Sequence, residues 1–264
     1  MVMWSGDETM APRQSVSEPE AELDLALAAE LQAALLPGPA PCDYAHQEIA
    51  ALNRMCGNVG GDFYDFTRIN EDQIALVIGD VVGHGVRASL VMAKIMGWLR
   101  SDPVACSRPR QMISALNRML LDLGDRIGTI VPCSMFHCVV DAPSGTSFFV
   151  TAGHPSPLLC DRNKCATLPL GPRNMLLGVE EFDPKEGCHT FGPGERMILY
   201  TDGICDAFDP EGEQFGNARL SEVVHQSLDS PPRECARSIF QAVEDFRRDA
   251  RQTDDETIVV VDRV

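Results

Sequence analysis

The sequence predicts an α+β domain built in layers, and three features of the chain support this class. Short strand-like segments follow one another with tight turns between them, which favours antiparallel sheets. Stretches with helical periodicity come in pairs, between groups of strands rather than after every strand. A 264-residue chain in which 44% of the residues are hydrophobic can enclose a large core. We therefore expect one layered domain and not the strand-helix alternation of a nucleotide-binding fold.

The first 40 residues are predicted to lie outside that domain. Residues 1–19 are polar and acidic, contain two prolines and show no periodicity, which is typical of a disordered tail. Leucines then recur every fourth residue, at positions 23, 27, 31 and 35, and predict an amphipathic helix from Glu20 to Leu36. Pro37-Gly38-Pro39 ends this helix. Residues 20–40 are thus a helix with its linker, and residues 41–264 are the domain.

The domain's predicted elements come in groups. Three strands lie first, at Ile49–Met55, Phe63–Ile69 and Gln73–Val82. A helical pair follows, at Val86–Arg100 and Pro109–Leu123. Four more strands are predicted at Ser134–Val140, Ser147–Thr151, Pro157–Cys160 and Arg196–Tyr200. A second helical pair, Leu220–Ser227 and Arg233–Arg247, precedes a last strand at Thr257–Val261.

The charge and hydropathy of the chain exclude several classes of function. A net charge of −17 without a basic patch argues against binding of nucleic acid or of an anionic membrane surface. No stretch approaches the ~18–20 apolar residues that a membrane span needs. The N-terminus lacks the basic flank and apolar segment of a secretory signal. We therefore expect a cytoplasmic protein.

The ten cysteines do not show the spacing of a disulfide framework or a zinc site. No Cys-x-x-Cys pair occurs, and the closest pairs, Cys133 with Cys138 and Cys160 with Cys165, have four residues between them. Most of the cysteines lie in apolar runs. We interpret them as small buried hydrophobic residues.

Four aspartates follow or precede apolar strands and are the candidate functional residues: Asp62, Asp80, Asp202 and Asp254. Taken singly, an Asp-Gly after a strand is usually only a turn. Together, strands that repeatedly end in aspartate would gather like charges, which is unfavourable unless a cation neutralises them. Ligands that are all oxygen favour Mg²⁺ or Mn²⁺ over zinc.

Other catalytic mechanisms lack their signatures. None of the ten cysteines begins a Cys-x5-Arg motif, and no lysine completes a phosphate-binding loop. Neither His-Glu-x-x-His nor Gly-x-Ser-x-Gly occurs. Metal-assisted hydrolysis is the common mechanism that remains.

The motifs around these aspartates resemble the PPM family (protein phosphatase 2C-like), in its bacterial SpoIIE/RsbU branch. The resemblance extends from about Ala28 to Val264 and begins with the helical segment Ala29–Pro37. The further matching segments, in chain order, are Val59–Asp65, Gly79–Gly85, Thr151–Pro155, Tyr200–Ile204, Pro210–Gly216 and Asp254–Thr257. Each motif is weak alone, but their order over some 230 residues makes the resemblance specific.

The resemblance implies an αββα sandwich, with two antiparallel sheets flanked by paired helices and a centre of two Mn²⁺ or Mg²⁺ ions at one edge. In such a centre Asp80 would bridge both ions, and the Val81 backbone carbonyl would complete one of them. Asp202 and Asp254 would hold the other. The remaining roles are Asp62 as a ligand, directly or through water, and Asp65 and Asp255 as residues that support the ligands.

The function implied is that of a protein serine/threonine phosphatase, acting on a phosphorylated regulatory protein such as an anti-sigma-factor antagonist. Two alternatives stay open: a catalytically silent module that binds phosphoprotein, and a phosphoesterase for small molecules. The helix at residues 20–36 is expected to pair with a second copy of the chain. His84 is interpreted as a helix cap, and His154 as a turn residue bonded to backbone.

Overall fold

The computed structural model describes residues 18–38, 42–44, 47–102, 104–161, 165–167 and 172–264, and most of the predicted tail at 1–19 lies outside these ranges. Six helices occur in the described part of the chain: α1 Glu18–Leu35, α2 Val86–Ser101, α3 Pro109–Ile127, α4 Asp202–Cys205, α5 Gly216–Gln226 and α6 Pro232–Arg247. A 3-10 turn at Ala105–Ser107 joins α2 to α3. None of the helices described here is long and apolar enough to cross a membrane.

Two sheets carry the strands of the described chain. The first has the order β1-β2-β12-β11-β7-β8, with β1 Cys42–Tyr44, β2 Gln47–Arg54, β7 Leu158–Cys160, β8 Cys165–Thr167, β11 Arg196–Tyr200 and β12 Glu256–Arg263. The second has the order β10-β6-β5-β4-β3, with β3 Asp62–Arg68, β4 Gln73–Val81, β5 Cys133–Asp141, β6 Thr146–Ala152 and β10 Gly187–Thr190. A two-residue strand, β9 Arg173–Asn174, pairs with β6 in parallel, whereas all other pairings between the strands named here are antiparallel.

Three layers of buried side chains hold these elements together. One layer lies between the two sheets and includes Phe136 and Val259. A second packs α2 and α3 on the outer face of the second sheet, with Ile95 and Leu116 fully buried. A third packs α5 and α6 on the outer face of the first sheet, around Ile239. The order helix, sheet, sheet, helix confirms the predicted αββα sandwich.

The ends of α3 show why the helical prediction was close. Pro109 lies in its first turn, where a missing N–H costs no hydrogen bond. Gly128 ends the helix with a left-handed φ of 68°, a conformation that glycine adopts at little cost. The helix α1 begins two residues earlier than predicted, at Glu18. The strands that were not predicted, β1, β8, β9 and β10, have two to four residues each, too few for a clear periodic pattern.

Cys160 is buried, as expected, but it is disulfide-bonded, which the spacing of the cysteines did not predict. The register of β7 and β8 sets Cys160 directly opposite Cys165 on the neighbouring strand. Four of the cysteines with free thiols are buried, as expected for small hydrophobic residues: Cys106, Cys133, Cys138 and Cys235.

Candidate metal centre

The first two candidate aspartates lie side by side at one edge of the second sheet. The β3–β4 register places Asp62 directly opposite Asp80. Gly61 lies against this pair, because a Cβ atom there would come 2.4 Å from the Val81 carbonyl oxygen and 2.9 Å from Asp80 Oδ1. Only glycine fits so close an approach. The same contact puts the Val81 carbonyl, a predicted ligand, beside the Asp80 carboxylate.

The other two candidates meet at the adjacent edge of the first sheet. Asp202 follows β11, and Asp254 precedes β12, the strand paired with β11. A Cβ atom on Gly203 would lie 2.0 Å from the Asp255 carbonyl oxygen and 3.4 Å from Asp254 Cβ. The start of α4 and the segment before β12 therefore touch, and Gly203 permits the contact.

Asp62 joins the two edges. Its Oδ2 accepts hydrogen bonds from the hydroxyls of Thr201, at 2.8 Å, and Thr257, at 2.6 Å, both from the first sheet. Asp62 is buried, and Thr257 in turn accepts a hydrogen bond from Asn53 Nδ2 at 2.8 Å. Because these bonds cross from one sheet to the other, they fix the four aspartates at a common end of the sandwich. The two threonines carried no signal in the sequence.

Asp255 positions the loop that leads to Asp62. Its carboxylate is buried and accepts backbone N–H bonds from Cys56 and Gly61, both at 2.7 Å. A Cβ atom on Gly60 would lie 1.9 Å from Asp255 Oδ2, so Gly60 must also be glycine. Asp255 therefore fixes the backbone of the loop that leads to Asp62.

The helix α1 reaches the same loop through Gln32, a residue that the sequence did not single out. The Gln32 side chain is buried, donates to the Gly60 carbonyl at 2.8 Å and accepts from the Gly60 N–H at 3.0 Å. Both backbone groups of Gly60 are thereby bound to one amide. The position of α1 is thus tied to the loop before Asp62.

Asp65 lies away from the group, which corrects its predicted supporting role. Residues three apart on a strand point to opposite faces of the sheet, so Asp65 faces the helices whereas Asp62 faces the other sheet. The Asp65 carboxylate forms a two-bond ion pair with Arg100 of α2, at 2.9 and 3.1 Å. Its role is to hold α2 on the sheet.

The electrostatics of the group are unfavourable for carboxylates without a cation. Burial, with the charges of Asp202, Asp254 and Asp255, raises the pKa of Asp80 to about 7. Burial and the Asp80 charge raise the pKa of Asp62 well above its usual range. The pKa values of Asp202 and Asp254 are also raised, mainly by burial, with Asp206 and Asp202 respectively as the nearby negative charges. Divalent cations would relieve this repulsion.

The donor set fits Mg²⁺ or Mn²⁺, since it consists of carboxylate and carbonyl oxygens. Among the described residues, no three His, Cys, Asp or Glu side chains converge tightly enough to enclose an ion by themselves. We therefore expect one or two carboxylates per ion, with water completing the coordination, as is common for Mg²⁺.

The surroundings of the two histidines singled out in the sequence, His84 and His154, differ from those predicted. The helix α2 begins after Gly85 without a side-chain cap, so the expectation that His84 caps it was wrong. His154 is buried, and its Nδ1 hydrogen-bonds Ser134 Oγ at 2.7 Å, a side-chain partner that the sequence did not predict. Burial lowers the pKa of His154 to about 3 against a smaller opposing effect of the Tyr200 carbonyl, so the ring is neutral.

Comparison with known proteins identifies relatives of this chain. The family model of stage II sporulation protein E (SpoIIE) matches residues 70–264, which include Asp80, Asp202 and Asp254. The phosphoserine phosphatase RsbU of Bacillus subtilis (strain 168) is 23% identical over 245 residues, 92% of this chain and 71% of RsbU. Protein IcfG of Synechocystis is 28% identical over 80% of this chain, which spans 37% of IcfG.

Among solved structures, the SiaA-PP2C domain of Pseudomonas aeruginosa has the same fold, with a TM-score of 0.77 and 20% identity. That match covers 94% of this chain and 98% of the SiaA domain. The family model accounts for well over half of the chain, and the structural match for its fold. The chain therefore belongs to the stage II sporulation protein E (SpoIIE) family.

Proposed function

We propose that the chain is a metal-dependent phosphatase that removes phosphate from serine or threonine of a partner protein. The observation that carries this proposal is the meeting of Asp62, Asp80, Asp202 and Asp254 at one end of the sandwich. The raised pKa of Asp80, about 7, supports the proposal, because bound cations would offset the burial and the neighbouring negative charges that raise it. The family of the chain and the printed activity of RsbU, a phosphoserine phosphatase, agree with this reading.

Two Mn²⁺ or Mg²⁺ ions bound there would supply an activated water and neutralise charge on the phosphoryl oxygens. In the proposed site, Asp80, the Val81 backbone carbonyl, Asp202 and Asp254 would hold the two ions, with Asp80 as the ligand shared by both. Asp62 would reach the centre directly or through water, while its Oδ2 joins the two sheets through Thr201 and Thr257.

Asp255 and Gln32 bind no ion in this proposal and act on the loop that leads to Asp62. They hold its backbone at Gly60 and Gly61 through hydrogen bonds of 2.7 to 3.0 Å. Both therefore act as positioning residues.

The substrate we propose is a phosphorylated regulatory protein of the cytoplasm, such as an anti-sigma-factor antagonist. Retention of all four aspartates favours an active enzyme over a silent phosphoprotein-binding module. A phosphoesterase for small molecules would need the same metal centre. The substrates that the chain hydrolyses therefore distinguish such an enzyme from a protein phosphatase.

The chain should release phosphate from a phosphoserine peptide and from an aryl phosphate when Mn²⁺ or Mg²⁺ is present, and release none in EDTA. The reason is that the candidate ligands are carboxylate and carbonyl oxygens, so the proposed hydrolysis depends on the cations that they would hold. The measurement is phosphate release by the same preparation with metal, with EDTA, and with metal restored. Full activity in EDTA, or a requirement for added thiol, would refute the two-metal proposal, and turnover of the aryl phosphate alone would favour a small-molecule phosphoesterase.

We further propose that residues 41–264 form the phosphatase domain and that α1 forms a dimer with the same helix of a second copy. Leu23, Leu27 and Leu31 lie on the outer face of α1 and are 62%, 49% and 69% exposed. The inner face instead carries Gln32, which binds Gly60. An exposed row of leucines is unfavourable in water, and a two-fold pairing would bury it.

A further inference from the structure

A cavity of about 410 Å³ opens beside Asp202, outside the group of aspartates. Of the candidate ligands that the structure describes, Asp202 alone lines this cavity. Its volume lies in the range of ligand-binding pockets. A molecule in the cavity would therefore lie next to the proposed metal centre and not within it.

One wall of the cavity is formed by Arg173 and Asn174, and hydrogen bonds fix this wall to the sheet. The parallel pairing of β9 with β6 sets Arg173 beside Thr151. The Asn174 side chain donates to the carbonyls of Thr151, at 3.1 Å, and Lys185, at 3.0 Å, and accepts from the Lys185 N–H at 2.7 Å. The backbone that carries Arg173 is thus held at a constant position relative to Asp202.

The cavity holds one positive charge and a polar atom without a partner. Arg173 is exposed and forms no ion pair with any described residue, and the acidic side chains on the lining are Asp202 and Asp206. The Oγ1 atom of Thr151 is buried and has no hydrogen-bond partner among the described residues, and Thr151 also lines the cavity. In a chain with a net charge of −17, an arginine beside the proposed reaction site that pairs with no described acidic residue indicates an anionic ligand.

We propose that this cavity binds the segment of the substrate protein that flanks the phosphoserine, and that Arg173 pairs with an acidic side chain of that segment. This inference rests on the proposed phosphatase function. The phosphoryl group itself is not the expected partner of Arg173, because Asp80 and Asp254 do not line the cavity. Arg173 would then set the substrate preference for acidic sequences around the phosphoserine.

The test uses phosphoserine peptides in which one glutamate is moved across the three positions on either side of the phosphoserine, with an all-alanine peptide as reference. We expect the wild type to prefer one acidic position by about tenfold in kcat/KM, the usual worth of a charge-assisted hydrogen bond. Arg173→Ala should remove this preference through a rise in KM, and Arg173→Lys should keep part of it. In an Asp80→Asn background, fluorescence anisotropy should show the same loss in peptide affinity without turnover.

Lys94→Ala is the matched control, because it removes one exposed positive charge from α2, outside the cavity lining. It should keep the wild-type preference. The inference is overturned if the wild type shows no acidic preference, or if Arg173→Ala retains it. It is also overturned if Arg173→Ala slows an aryl phosphate as much as the acidic peptide, since Arg173 would then bind the phosphoryl group. If the wild type hydrolyses none of these substrates in the presence of metal, the proposed phosphatase function is itself refuted.

Discussion

Replacing Asp80 by asparagine is expected to reduce phosphate release by about a hundredfold or more, equivalent to ~2.7 kcal/mol in the barrier. Asparagine keeps the shape of the side chain but removes the charge that we place between two cations. Steady-state kinetics on a phosphoserine peptide measure this loss. A rate above about a tenth of the wild type, a change below ~1.4 kcal/mol, would show that Asp80 does not bridge the ions.

The same variant is expected to fold at least as stably as the wild type when metal is absent. Burial and neighbouring carboxylates raise the pKa of Asp80 from 3.8 to about 7, so the folded protein binds a proton that the unfolded chain releases. The metal-free wild type therefore loses stability as the pH rises from about 4 to about 7, and Asp80→Asn removes this cost. Thermal unfolding in EDTA at pH 8 should give an equal or higher Tm for the variant.

Asp255→Asn provides the contrasting control at the same site. Asp255 accepts two backbone N–H bonds at 2.7 Å in a buried position, so its replacement disturbs the loop before Asp62. We expect a loss of about 1–3 kcal/mol in the free energy of unfolding, measured with denaturant in EDTA. If Asp80→Asn were less stable to unfolding than the wild type while Asp255→Asn had wild-type stability, the roles assigned to the two residues would be contradicted.

Replacing Leu27 and Leu31 of α1 by glutamate is expected to convert a dimer into a monomer. The wild type should have twice the 28.8 kDa mass of one chain in solution, because pairing would bury side chains that are 49% and 69% exposed in the single chain. Charged side chains at both positions would repel their copies across a two-fold axis. Light scattering with size-exclusion chromatography measures the mass.

Phosphate release by the double variant should also fall severalfold, because α1 carries the Gln32 amide that holds both backbone groups of Gly60. The matched control is Ala26→Glu, which adds an exposed negative charge to α1 outside the leucine row. It should remain dimeric and active. The proposal is contradicted if the wild type is a monomer, or if the double variant has the mass and rate of the wild type. The helix α1 would then pack only on its own domain.

The sequence predicts the part of the site that depends on local signals. Asp62, Asp80, Asp202 and Asp254 stand at strand ends, and the antiparallel register that brings Asp62 opposite Asp80 follows from the short connection between β3 and β4. Strand alternation could also have placed Asp65 on the helix side, since it is three residues from Asp62.

Other features depend on tertiary packing and had no local signal. Both faces of α1 carry apolar residues, so periodicity alone did not decide that the leucine row faces outward and Gln32 inward. The hydroxyls of Thr201 and Thr257 meet Asp62 only after the two sheets pack. The two-residue strand β9, which carries Arg173 to the cavity, is too short to show a pattern.

The most direct measurement of the central claim is anomalous diffraction from crystals of the protein grown with Mn²⁺. The account predicts two anomalous peaks about 3.5–4 Å apart, with the Asp80 carboxylate between them and Asp202 and Asp254 beside the second. No peak near Asp80, or a manganese site elsewhere in the molecule only, would contradict the assignment of this end of the sandwich as a two-metal phosphatase centre.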